Sequence, residues 1–195
     1  MSKLVRMRAF IALLGFLFTI PVSAQLSNDP GAGPHARAQA AADLIREAAK
    51  TPLAFLPAGL LKQPDPGGDL AFLILYPTNE IVVVRLSGAE IREALERSLA
   101  SYPASSNAFL QISGATVIFS PSATRERVIE VKIGDSLLEP SRQYEVAMPE
   151  SLARGALGYF KIWDKSKIVR NVGKTLDEVL KGKTDIARSP RYIAR

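Results

Sequence analysis

One histidine, His35, and no cysteine leave this 195-residue chain few ways to hold a transition metal or to form a covalent intermediate. Thiolate metal sites, disulfides and cysteine nucleophiles are excluded outright, and any multi-ligand centre would have to grow around a lone imidazole. His35 sits among Pro30, Gly31, Gly33 and Pro34, a setting that predicts a solvated side chain rather than a ligand. Ser87 and Thr175 resemble candidate nucleophiles until their neighbours are read. Ser87-Gly-Ala-Glu90 and Thr175-Leu-Asp-Glu178 are capping boxes, in which the hydroxyl accepts from a backbone amide, and no histidine is near either in sequence. Gly114, Gly155 and Gly158 lack phosphate-loop spacing and belong to turns.

The elements that would position any site begin after a targeting segment. Lys3, Arg6 and Arg8 precede the apolar run from Phe10 to Ile20, Pro21 ends it, and Val22-Ser23-Ala24 supplies small residues for a peptidase. Residues 1–24 read as a secretory signal peptide cleaved before Gln25, which implies a periplasmic or secreted product. The alternative, an uncleaved anchor, has an apolar run shorter than the roughly 20 residues a bilayer requires. Removing that segment lowers the formal charge from +6 to +3, with 22 Lys and Arg against 19 Asp and Glu. The remaining charges are interspersed, so no nucleic-acid partner is expected, nor stable membrane insertion after cleavage. Only Lys181, Lys183, Arg188, Arg191 and Arg195 form a basic tail, read as solvated.

A hydrophobic fraction of 47% with 23% charged residues fits one compact domain. Residues 25–36 hold too few large apolar side chains to pack and are expected as a flexible leader, and the domain is placed at 37–195. Ala38 to Lys50 has helical spacing and stops before Pro52. Leu53–Leu56 reads as a buried strand, Gln63–Asp69 as loop, and Leu70–Leu75 as helix or strand. Ile81–Leu86 is β-branched and reads as a strand, followed by a helix from the Ser87 cap to about Ala100 that pairs Glu93 with Arg97. Strands follow at Phe109–Ile112 and Thr116–Phe119 around the Ser113-Gly114 turn, then at Val128–Ile133 and Tyr144–Ala147. Gly155, Gly158, Tyr159, Phe160 and Trp163 mark an irregular segment, and a last helix runs from Thr175 to Gly182. The sum is an α+β fold, a mixed, mostly antiparallel sheet flanked by helices.

Three phrases in this order resemble the C-terminal, substrate-binding domain of the 5′-nucleotidase family. They are Ile81-Val-Val-Val-Arg-Leu-Ser-Gly-Ala-Glu-Ile-Arg-Glu-Ala-Leu-Glu96, Gln111-Ile-Ser-Gly-Ala-Thr-Val-Ile-Phe119, and Val131-Lys-Ile-Gly-Asp-Ser-Leu-Leu-Glu-Pro140 running into Tyr144-Glu-Val-Ala147. The similarity spans about Ala38 to Ile193. In that family a separate N-terminal metallophosphatase domain holds two metal ions and performs hydrolysis, and the C-terminal domain stacks the base between two aromatic rings and holds polar groups with arginine and a glycine-rich turn. The resemblance therefore implies no catalytic residue, metal or cofactor in this domain itself. It implies two partners, a nucleotide or nucleoside-like small molecule and a separate metallophosphatase protein.

The family's binding pattern is eroded here. Where it reads Asn-x-Gly-Gly-Ile-Arg, this chain has Pro57-Ala-Gly-Leu-Leu-Lys62, which replaces a forked donor with a point charge. The first stacking aromatic follows a proline in the family, whereas Tyr76-Pro77 reverses that order, with Asn79 two residues on. Around the second, Asn-Asp-Phe and Gly-Gly-Asp-Gly-Tyr become Pro149-Glu-Ser151 and Gly155-Ala-Leu157-Gly-Tyr159, so Ser151 stands at the aromatic position and Leu157 at the acidic one. The ligand-contact candidates are Lys62, Tyr76, Asn79, Arg154, Tyr159 and Phe160. Core packing is the alternative for Tyr159, Phe160 and Trp163, and solvated surface the alternative for Arg154. The expected function is a stand-alone, non-catalytic ligand-binding or protein-interaction module with a degenerate nucleotide pocket. The alternative is a substrate-binding subunit acting in trans with a metallophosphatase domain in nucleotide catabolism.

Overall fold

The computed structural model describes residues 26–195. The signal-peptide reading of residues 1–24 lies outside the described residues. Among those that are described, no helix is long and apolar enough to cross a membrane.

Alanine-rich α1 (Ala36–Ala49) ends where Lys50 turns left-handed at φ 55°, its N–H reaching the Arg46 and Glu47 carbonyls. Strand β1 (Leu53–Pro57) follows, then short 3₁₀ turns at Ala58–Leu60 and Leu70–Leu73. Strand β2 (Glu80–Ser87) leads into α2 (Gly88–Leu99) through the predicted capping box, in which Glu90 N–H donates to Ser87 Oγ and Ser87 N–H to Glu90 Oε2. Strands β3 (Leu110–Ser113), β4 (Ala115–Phe119), β5 (Val128–Ile133), β6 (Ser136–Leu137) and β7 (Gln143–Pro149) precede α3 (Glu150–Ala153). Strand β8 (Ile168–Thr175), α4 (Leu176–Leu180) and β9 (Tyr192–Ala194) complete the chain.

The strands form two sheets, one of order β3-β1-β7-β2-β8 and one of order β6-β5-β4-β9. Pairing is antiparallel except for β1 with β7 and β4 with β9. The central strands read as nearly continuous apolar runs because both faces of the larger sheet are covered. Val82, Val84 and Leu86 of β2 enter a core shared with α2 and the smaller sheet, whereas Ile81 and Val83 enter a second core beneath α1 and α4. Leu53 and Phe55 alternate with Ala54 and Leu56 of β1 in the same way.

Ser113-Gly114 carries the chain from one sheet to the other rather than closing a hairpin. Gly114 is left-handed at φ 82°, and a Cβ there would lie 1.9 Å from the Pro52 carbonyl oxygen, so glycine is required. Strand β3 is an edge whose outer backbone groups are taken by side chains. Leu110 N–H donates to Ser98 Oγ (2.8 Å), Tyr192 OH donates to the Leu110 carbonyl (2.8 Å), and Arg191 Nη1 donates to the Ile112 carbonyl. Arg191 also pairs with Asp43, so the tail expected to be solvated is built into the fold at this residue.

The leader expected to be flexible is folded over residues 26–36. Gln111, fully buried on β3, donates through Nε2 to the Pro30 and Gly33 carbonyls (2.7 and 2.8 Å) and accepts His35 N–H at Oε1 (3.0 Å). Ser106 N–H reaches the Gly31 carbonyl at 2.9 Å. A buried carboxamide, which binds backbone as well as another strand does, replaces the apolar side chains this segment lacks.

Candidate functional site

The residues that resemble the family's pocket converge at one end of the larger sheet. Leu61 and Ile74 form a single antiparallel bridge, flanked by Lys62 N–H donating to the Leu73 carbonyl (2.8 Å) and Leu75 N–H to that of Leu60 (2.9 Å). The Lys62 side chain is exposed. The turn at 76–79 is fixed from the far side, where the first amides of α4 reach it. Leu176 N–H donates to the Asn79 carbonyl and Asp177 N–H to that of Pro77, both at 2.9 Å. Tyr76 stands out from this turn with 60% of its surface exposed.

Asn79 reaches across to α3. Its Nδ2 donates to Ser151 Oγ (2.7 Å), and its Oδ1 accepts Ser151 N–H at 3.4 Å. The side chain thus serves the first turn of α3, whose N-cap, Pro149, has no side-chain acceptor to offer. Where the family implies two rings on a base, this chain joins the two segments with an amide and a hydroxyl. Arg154 is exposed and turned onto its own helix, with Nη2 2.7 Å from Glu150 Oε1.

The segment after α3 holds three left-handed residues, Gly155 (φ 88°), Leu157 (φ 58°, ψ 23°) and Gly158 (φ 83°). The half-buried Leu157 side chain faces Gly59, and a Cβ added at Gly59 would meet Leu157 Cδ2 and Asn107 Cβ, each at 3.0 Å. Position 157, acidic in the family pattern, is therefore apolar and packed against Gly59, the one glycine of the altered 57–62 motif. Beneath it, Arg97 donates to the Leu157 carbonyl and lies over the Tyr159 ring at 5.2 Å, while its Nε is buried without a partner. The expected Glu93–Arg97 ion pair does not form, because the guanidinium is drawn under this loop instead. Sequence reasoning gave Arg97 only the Glu93 pairing and did not single out Asn107, whose carbonyl accepts Gly59 N–H at 2.9 Å, because neither contact is marked by a motif.

Tyr159 is a core residue. It is fully buried and stacked on Trp163 (4.9 Å, 17°), and its hydroxyl donates to the Ala108 carbonyl at 2.7 Å. Burial pushes that phenol well above its ordinary range, so it stays protonated. Trp163 is likewise buried, its Nε1 donating to the Leu152 carbonyl at 2.9 Å. Phe160, by contrast, is 65% exposed.

His35 is not a solvated tail residue. It is 6% exposed, and Nδ1 accepts Ala38 N–H (3.3 Å) as the N-cap of α1. Its Nε2 lies 3.5 Å from Asp65 Oδ2, and Asp65 is also held by Arg37 Nε at 2.8 Å. With both ring nitrogens engaged, His35 has no lone pair free for a metal ion. Among the described residues no group of three or more His, Cys, Asp or Glu gathers as a metal site.

Comparison with known proteins agrees with this topology. The 5′-nucleotidase precursor of Thermus thermophilus superposes with a TM-score of 0.71 at 21% identity, over 90% of this chain and 39% of its own. A putative 5′-nucleotidase of Staphylococcus aureus, solved in complex with alpha-ketoglutarate, gives 0.69 at 15% identity over 89% and 39%. The Haemophilus influenzae NAD nucleotidase gives 0.63 at 15% identity over 89% and 37%. At these identities the likeness is one of fold, and the chain spans about two-fifths of the length of these relatives. No curated protein sequence matches it. The family described as 5′-nucleotidase, C-terminal domain, matches residues 20–164, three-quarters of the sequence, and the chain belongs to that family.

Proposed function

We propose that this protein is an exported, non-catalytic binding module on the nucleotidase C-terminal scaffold, whose pocket no longer clamps a nucleotide. The observation that carries the reading is the hydrogen-bonded pair Asn79–Ser151, which links the two segments that the resemblance assigns to the stacking rings. Leu157 against Gly59 supports it, since an apolar side chain fills the ground where the resemblance places a carboxylate. Stacking on a base contributes roughly 1–3 kcal/mol per ring by alanine substitution. With a further loss from exchanging a forked guanidinium for Lys62, the deficit is about 3 kcal/mol, or two orders of magnitude in affinity.

Nucleotide affinity is therefore expected to be no better than about 0.1 mM. Calorimetry with AMP, adenosine and UDP-glucose tests this, and a micromolar constant for any of them overturns it. Tyr76, Phe160 and Lys62 are the exposed groups available to a different ligand or a protein partner.

Membership of the nucleotidase C-terminal family and the likeness to nucleotidase structures support a second reading, in which the domain works in trans beside a metallophosphatase domain. Under that reading, adding this protein to such a domain that lacks its own C-terminal half raises AMP hydrolysis. Equal rates with and without it exclude the subunit role.

A further inference from the structure

The single histidine of the chain occupies a joint between three segments. Its backbone N–H is held by Gln111 on β3, its Nδ1 caps α1 through Ala38, and its Nε2 faces Asp65 of the loop ahead of residues 70–73. Accepting Ala38 N–H at Nδ1 places the only ring proton on Nε2, toward Asp65. Apart from the burial of Pro30, Gly31, Gly33 and Pro34, the residues before His35 are held by a short set of hydrogen bonds. Ser27 N–H meets the Pro34 carbonyl (2.6 Å), Ser106 N–H meets that of Gly31, and the buried Gln111 carboxamide binds those of Pro30 and Gly33.

We propose that His35 is an acid-sensitive latch, which holds residues 27–35 against the larger sheet while its ring is neutral and releases them when the ring takes a second proton. Protonation places N–H on Nδ1, facing the Ala38 N–H donor, so the cap is lost. It also puts a positive charge in a site where the side chain is 7% exposed. The charged groups facing the ring are Asp65 on the 62–69 loop, Arg37 on α1 and Asp29 in the strap itself. The carboxylates favour the cation, whereas Arg37 opposes it and also holds Asp65 at 2.8 Å. Burial outweighs the carboxylates and holds the imidazole below its ordinary value of 6.5.

The sign follows from linkage. An opened strap exposes an ordinary imidazole, so opening is favoured as pH falls below about 6.5, and the effect is complete below the closed-state value. At pH 5.0 the gain in opening is at most about 30-fold, reached if the closed ring stays neutral throughout.

The test is hydrogen exchange on the purified protein at pH 7.5 and 5.0, corrected for intrinsic exchange, for the peptide spanning residues 27–38. In the wild type, protection is expected to fall on acidification, by at most about 30-fold. In His35→Asn, whose side-chain oxygen caps Ala38 N–H without titrating, it is expected to change less than about twofold. Equal protection at both pH values in the wild type, or an equal loss in His35→Asn, overturns the proposal. The lone imidazole also gives a single Hε1 resonance, so its titration is read directly in the wild type. A midpoint at or above 6.5 overturns the latch even if the variant fails to fold.

Discussion

Leu157 carries a large apolar side chain on a left-handed backbone, and this conflict sets a reversal in how small residues rank at that position. For a non-glycine residue the left-handed region costs roughly 1–2 kcal/mol. Its side chain, half-buried against Gly59, returns about 1 kcal/mol of apolar burial, half the value for a fully buried leucine. Leu157→Ala discards the burial and keeps the strain, and is expected to cost about 1 kcal/mol. Leu157→Gly also discards the burial but releases the strain, against roughly 0.5–1 kcal/mol of added unfolded-state entropy. Glycine is therefore expected to exceed alanine in stability by about 0.5–1 kcal/mol at 157. At Glu93, exposed within α2, the ordinary order holds and Gly falls below Ala by a similar amount. Urea unfolding of the four variants reads both differences on one scale. If glycine ranks below alanine at 157 as it does at 93, the strained-loop argument is wrong.

Tyr159→Phe removes only the hydroxyl bond to Ala108 and should lower stability by about 1 kcal/mol in urea unfolding, whereas Tyr159→Ala should cost about 3–5 kcal/mol and abolish cooperative folding rather than weaken a ligand. Arg191→Met breaks the contacts to Asp43 and to the Gln39 and Ile112 carbonyls, and a loss of about 1–2 kcal/mol is expected because the pair is partly solvated. A loss below about 0.3 kcal/mol would return the tail to a solvated role. The proposed export predicts a product that begins at Gln25, and intact-mass measurement that finds residues 1–24 retained favours the anchor instead.

Elements whose stability is local were legible in the sequence. The Ser87 and Thr175 capping boxes, the β-branched run of β2 and the Pro52 stop each show their physics within a few residues. Elements that depend on distant partners were not. Strand β8 carries Gly173 and mostly exposed side chains, so it lacks an apolar alternation, and it exists because β2 pairs with it through a bulged register. Strand β9 is three residues long and is held through Tyr192 and Arg191. The folded leader rests on Gln111, some eighty residues away, a neutral polar side chain that composition marks as surface. At the candidate site, motif alignment located positions 77, 151 and 157, but the Asn79–Ser151 bond and the Arg97 support under the loop are matters of geometry alone.

The side chains that occupy the outer edge of β3 also set an order in time. Tyr192 lies 82 residues after Leu110, and Arg191 lies 79 after Ile112. At a synthesis rate of roughly 5–20 residues per second, a β1–β3 pair formed on the ribosome waits roughly 4–16 s for the residues that close its edge. During that interval its Leu110 and Ile112 carbonyls are open to any extended chain nearby, such as a neighbouring nascent polypeptide. Yield of residues 25–195 made in the cytosol without residues 1–24 should therefore depend on how quickly translation reaches codon 192, and slow codons placed between 113 and 191 should drive that product into aggregates without changing the stability of the finished fold.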